Sequence, residues 1–146
     1  MPTAAKLIAA ILFAVTTMIA SELFKPYMPE GTQFGYFTYM NGAIAASVGW
    51  KLLGGRAGNG VTSAINNGVT ALFALILFLL FSHSFRLMII ESTGIGYGSL
   101  SEALQDVAQK MVDHGLLVLN TDVLVAFGLG TVATSILAEA ASRRWR

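Results

Sequence analysis

Two ionisable side chains stand out because apolar sequence surrounds them. Glu22 lies near the end of the first apolar run of the chain and His83 near the end of the third. A carboxylate and an imidazole at similar depth could relay a proton, since histidine titrates near neutral pH. Lys25 follows Glu22 by one helical turn, so an ion pair accounts for that carboxylate without any chemistry. Asn41 falls near the middle of the second run, where an amide is costly unless it bonds a neighbouring helix or a substrate. Arg56 sits in "GGRAGNG", residues 54–60, and the backbone N–H groups of such a loop can cradle an anion. The loop lacks the Gly-Lys-Ser/Thr ending of a P-loop and the glycine spacing of a dinucleotide fingerprint. A short turn with one topology-setting arginine explains it as well.

Other chemistry finds little to work with. His83 and His114 lack the spacing of a helical metal pair. Ser84 beside His83 has no acidic third member, and Asp113 points to a different helix face from His114. With no cysteine, disulfides, thiolate metal sites and thiol redox chemistry are excluded for this chain. Glu139 and Arg143 are four apart, a helical ion pair in the favourable order. The expectation is a protein that is not an enzyme, with no catalytic constellation, no metal and no cofactor.

The elements that position these residues are set by composition. Of 146 residues, 55% are apolar and 12% charged, far from the balance that gives a soluble domain its surface. A net charge of +1 leaves no electrostatic footprint for nucleic acid. A helix needs about 20 apolar residues to cross a bilayer. Four stretches qualify, at about 5–24, 34–53, 62–85 and 121–141. The first could be a signal peptide, but Met18 stands where a small residue is wanted before a cleavage point, so it reads as a retained span. Phe34, Tyr36, Phe37, Tyr39 and Trp50 bracket the second as an interfacial belt. Pro26, Pro29 and Gly31 make the connection before it a rigid hairpin. Asn120 or Thr121 caps the fourth.

Small residues recur within two spans. Gly42 and Ala46, then Ala45 and Gly49, are four apart in the second, while Ala126, Gly130, Thr134 and Ala138 repeat in the fourth. Such rows let helix backbones approach closely, inside one bundle or between copies. Between the third and fourth spans, Ser99 and Glu102 form a capping box for an amphipathic helix over about 99–115. Leu100, Leu104, Val107, Ala108 and Met111 make its apolar face, and Glu102, Gln105, Asp106, Gln109 and Asp113 its polar one, with Gly115 as its stop. It is expected to pack across the outer end of the bundle. Lys6, Lys51, Arg56, Arg143, Arg144 and Arg146 fall on one side of the spans, against Lys25, Arg86 and Lys110 on the other. The positive-inside rule then puts both termini in the cytoplasm. The fold expected is an all-α, single-domain integral membrane four-helix bundle, N-in and C-in.

Several segments carry a resemblance to a known family. "MPTAAKL", "PEGTQFG", "GW" followed by "GGRAGNG", "EALQ" and "AEAASRRWR" occur in order along nearly the whole chain. In these the chain resembles the TrgA family of tellurite-resistance-associated bacterial membrane proteins. The resemblance implies a multi-pass protein of the cell inner membrane linked to tellurite resistance, and it carries over no catalytic motif. The expected role is a non-enzymatic membrane component or accessory, in contact with the lipid bilayer and with a second copy or a membrane-protein partner. The alternative is a small oligomeric transporter for an oxyanion or other solute.

Overall fold

Long apolar runs leave the backbone no hydrogen-bond partner but itself, and each is helical in the computed structural model, which describes residues 3–28, 35–94 and 96–145. Among those residues there is no strand. Helix α1 covers Ala4–Phe24. The Thr3 hydroxyl caps it, accepting from the Lys6 N–H at 3.3 Å. It passes into a 3₁₀ turn, Lys25–Tyr27, that contains Pro26. Helix α2 covers Phe37–Val48 and continues through a π-helical turn, Gly49–Leu53, and a 3₁₀ turn, Gly54–Arg56. Helices α3, α4 and α5 cover Val61–Gly94, Leu100–Val118 and Thr121–Arg144.

Three helical stretches, Ala4–Tyr27, Val61–Gly94 and Thr121–Arg144, are long and apolar enough to cross a membrane. The second expected span is built differently. Helix α2 has 12 residues, which is roughly 18 Å at the usual rise. Its continuation follows α1 antiparallel for the rest of that helix. Thr38 bonds Glu22, Gly42 lies against Met18, Gly49 against Ala9 and Gly54 against the Lys6 backbone. The wide π-helical turn begins at Gly49, where a Cβ would stand 2.6 Å from the Ala9 carbonyl oxygen. Of the expected hairpin and belt, Pro29, Gly31 and Phe34 lie outside the described residues, as does Arg146.

Helix α5 returns along α1 from the other side. The Tyr27 hydroxyl donates to Asp122 at 2.7 Å near its start, and Gly130 meets Thr16 midway. Thr134 and Ala138 are buried, Ala46 is half-buried, and half-buried Ala126 packs on the core. The fourth-span row is thus taken up inside the chain. Gly68, which the sequence did not single out, is where α3 meets Thr131 and Ser135 of α5. Phe13, Ala20, Leu75 and Val123 close the centre.

What faces outward is mostly apolar. Leu7, Ile11, Val15, Ile19 and Leu23 form an exposed row along α1. On α3, Val69, Phe73, Leu77, Phe81, Phe85 and Ile89 do the same, with Phe73 at 66%. Leu129 of α5 is 69% exposed. Contiguous apolar surface of this kind marks contact with a membrane or a partner.

Helices α3 and α4 depart from expectation. The third span was expected to end near residue 85, but α3 runs on to Gly94, since Arg86 is a good helix former and no glycine or proline intervenes. Helix α4 passes through Gly115 to Val118 and lies along the far end of α3, with a Cβ on Gly115 standing only 3.5 Å from Leu80. Its cap is Ser99, as expected, and only the return bond of the box reaches one residue further back, to Gly98. Ser99 accepts from the Glu102 N–H at 3.2 Å, and Glu102 accepts from the Gly98 N–H at 2.8 Å. Its expected apolar face splits. Val107 is buried with Ala103, while Leu104, Ala108 and Leu100 are exposed, the last at 78%. Asp106 turns away from solvent instead, because Lys110 and Tyr97 draw it towards α3.

That cluster ties the hairpin. Lys110 Nζ donates to Glu91 at 2.9 Å and to Asp106, and the Tyr97 hydroxyl donates to Asp106 at 2.5 Å. The Lys110 and Tyr97 hydrogen bonds hold the Asp106 carboxyl below its ordinary 3.8. Partial burial pulls Lys110 down, but its two carboxylates outweigh this and hold it above 10.5. The bond to Asp106 raises Tyr97 above 10.0. A depressed acid stabilises above its unfolded value, and raised Lys and Tyr stabilise below theirs. The hairpin is therefore expected to stay closed on a plateau from about pH 4 to about pH 10. It should loosen as pH falls through the folded Asp106 value or rises through those of Tyr97 and Lys110. A spin-label distance between Ser92 and Leu104 across this range checks it, and Asp106→Asn should remove the acid limb.

Candidate functional site

Two clusters of polar side chains lie at opposite ends of the bundle. At the Tyr27 end, a cavity of about 90 Å³ lies among all five helices. Phe24, Phe37, Leu79, Val123 and Phe127 form its apolar wall, and Asn41, His83, Arg86 and His114 its polar part. Helix α2 brings in Asn41 and Phe37, α3 brings in His83 and Arg86, and α4 brings in His114. Arg86 is exposed, His83 and His114 are half-buried and Asn41 is buried.

A hydrogen-bonded chain runs inward from His83. Its Nε2 lies 2.6 Å from Asn41 Oδ1, and Asn41 Nδ2 donates to Ser21 Oγ at 2.8 Å. Ser21 donates to the Thr17 carbonyl at 2.7 Å, and Thr17 to that of Phe13 at 2.8 Å. The Phe37 ring lies 4.5 Å from the His83 ring, centroid to centroid, and Phe24 stacks on Phe37. So the sequence picked out Asn41 and His83 separately, and the fold makes them partners. The expected Glu22–His83 relay is replaced. Exposed Glu22 accepts from Lys25 Nζ at 2.7 Å and from the Thr38 hydroxyl at 2.6 Å, and His83 turns to Asn41. Thr38 gave no distinguishing signal in the sequence, and neither did His114, whose Nδ1 donates to the Lys110 carbonyl at 2.7 Å.

The second cluster lies at the Glu139 end. Glu139 is 1% exposed. Its Oε2 accepts from the Gly58 N–H at 2.6 Å, and its Oε1 from the Gly60 N–H at 2.9 Å and Arg143 Nε at 3.1 Å. Both glycines have positive φ, 109° and 103°, which turns their N–H groups towards α5. The glycine-rich loop does cradle an anion, as its composition suggested, but the anion is the chain's own carboxylate. Arg56 is exposed, and its carbonyl accepts from Asn59. Two of the loop's N–H donors are thus engaged by Glu139 within the chain.

Among the described residues the cavity lining holds no carboxylate, and its one hydroxyl, on Ser21, gives its proton to the Thr17 carbonyl. No group of three His, Cys, Asp or Glu among the described residues could hold a metal ion. No protein-family model, curated protein or solved structure matches the chain.

Proposed function

We propose that the chain is a four-span component of the bacterial inner membrane, with both termini in the cytoplasm, that acts as a non-enzymatic accessory in resistance to tellurite or a related oxyanion. The observation that carries the accessory reading is the separation of the two polar clusters. Between the His83 chain and Glu139 the interior is packed with wholly buried Phe13, Leu75 and Ala71, and the buried Thr134 and Ser135 hydroxyls there bond carbonyls of their own helix. A path for an anion needs donors or positive charge at depth. Here Lys6, Lys51, Arg56 and Arg143 flank one end and Lys25, Arg86 and Lys110 the other. The same distribution supports the sidedness. The course of the second element beside α1, from Glu22 to Lys6, supports counting it as the fourth span. The link to tellurite rests on the resemblance of "PEGTQFG", "GGRAGNG" and "AEAASRRWR". A second copy or a membrane-protein partner would meet the outward rows of α1, α3 or α5, since the Gly130 row is engaged with α1.

Deleting the gene should leave cellular tellurite uptake unchanged and increase sensitivity. Vesicles holding only this protein should pass no more oxyanion than empty ones. Flux in such vesicles, lost on Asn41→Leu, would replace the accessory with a transporter. Cysteines introduced at Thr32 and Gln105 should label from outside and one at Asn59 from inside. Labelling of Thr32 and Asn59 from the same side would defeat the four-span arrangement.

A further inference from the structure

We infer that the cavity beside His83 binds the hydroxyl-bearing ring of a phenol or hydroquinone. The argument begins with one proton. Ser21 has a single hydroxyl hydrogen and gives it to the Thr17 carbonyl, so towards Asn41 it can only accept. The Asn41 NH₂ group must then face Ser21, which leaves Oδ1 to face His83 at 2.6 Å. An amide oxygen accepts only, so His83 carries its hydrogen on Nε2. His114 is fixed the same way, with Nδ1 meeting the Lys110 carbonyl. In the neutral rings the two other nitrogens, Nδ1 of His83 and Nε2 of His114, are lone-pair acceptors. Neither has a hydrogen-bond partner among the described residues.

Both rings line one cavity, and Arg86 lines it too and brings only donors. The occupant must donate to an imidazole nitrogen and accept from a guanidinium. A carboxylate or a phosphate monoester dianion has no hydrogen to give, and an ammonium has no lone pair. A hydroxyl oxygen does both. The apolar wall sets the rest of the molecule. Phe24, Phe37 and Phe127 present aromatic surface, and flat rings pack on such faces by offset or edge contact. The volume of about 90 Å³ is somewhat below the roughly 150 Å³ of an apolar cavity that takes up benzene, so it limits the occupant to one small ring. The ring can arrive as a small dissolved phenol or as the head of a lipid-soluble hydroquinone, and the contacts are the same.

The chain has only two histidines, so ¹⁵N-histidine spectra of the full chain in lipid nanodiscs report each ring separately. Added p-cresol should shift His83 Nδ1 saturably. Toluene, which lacks the hydroxyl, should need at least a tenfold higher concentration for any comparable shift. Leu79→Trp, which fills the cavity, should abolish the p-cresol shift while the Nε2–H signal of His83 persists. If that variant does not fold, Val118→Phe at the same wall should weaken binding at least fivefold. A 2-decyl-1,4-hydroquinone probe that binds at least tenfold tighter than p-cresol assigns the lipid source, and equal affinity assigns the dissolved one. The inference is overturned if neither hydroxyl probe gives a saturable shift, if toluene matches p-cresol, or if cavity filling leaves binding unchanged.

Discussion

Glu139→Ala is expected to unfold the protein more readily in detergent than removal of any other polar side chain. The carboxylate is 1% exposed and holds three donors: the Gly58 N–H, the Gly60 N–H and Arg143. Truncation strands two backbone donors that the loop's positive-φ glycines aim at α5. Leaving a buried donor unpaired costs about 1–3 kcal/mol, and water reaches exposed Gly58, so the total expected is about 2–4 kcal/mol. Glu139→Gln keeps one accepting oxygen and should lose about half as much. Arg143→Ala removes only an exposed partner and should cost under about 1 kcal/mol. Guanidinium unfolding of the three variants, followed by circular dichroism, measures the order. If Glu139→Ala matched wild type within about 0.5 kcal/mol, the carboxylate would not be the clamp.

Gly49→Leu should do comparable damage by a different cause. A Cβ at this position would lie 2.6 Å from the Ala9 carbonyl oxygen and 3.0 Å from the Phe13 Cβ. Backbone cannot rotate aside as a side-chain tip can, so α1 and the π-helical turn must separate. Overpacking of this kind costs typically about 1–3 kcal/mol, and the backbone clash places Gly49→Leu at or above the top of that range. Gly128→Leu is the control. It lies in another helix with nothing within 4 Å of its would-be Cβ, and it should be nearly neutral. Equal unfolding midpoints for the two variants would mean that α2 and α1 are not seamed at Gly49.

The three long apolar helices were legible in the sequence, because a run such as "VTALFALILFLLF" has no polar face for water. Helix ends were less so. Arg86 is a charge rather than a break in the backbone, so α3 passes it. Gly115 suggested a stop, but helical φ suits glycine too, and Leu80 packs beside it. Of the site, Asn41 and His83 were visible as polar residues in apolar runs, while their pairing was not. Depth along a helix is readable from sequence, but the direction a side chain faces across the bundle depends on how neighbouring helices rotate. That is why His83 was matched to Glu22. Glu139 is a similar case. Its bond to Arg143, four residues on, follows local spacing, whereas its bonds to Gly58 and Gly60 span 81 and 79 positions and leave no local trace.

The account depends on acyl chains covering the outward rows of these helices. Spin labels on cysteines introduced at Ile11, Leu77 and Leu129 test this directly, since the chain has no native thiol to interfere. In reconstituted liposomes, collisions with dissolved oxygen should exceed those with a water-soluble nickel chelate at all three, with the reverse at Asn59 and Gln105. Nickel access at Leu77 and Leu129 as high as at Gln105 would contradict the account.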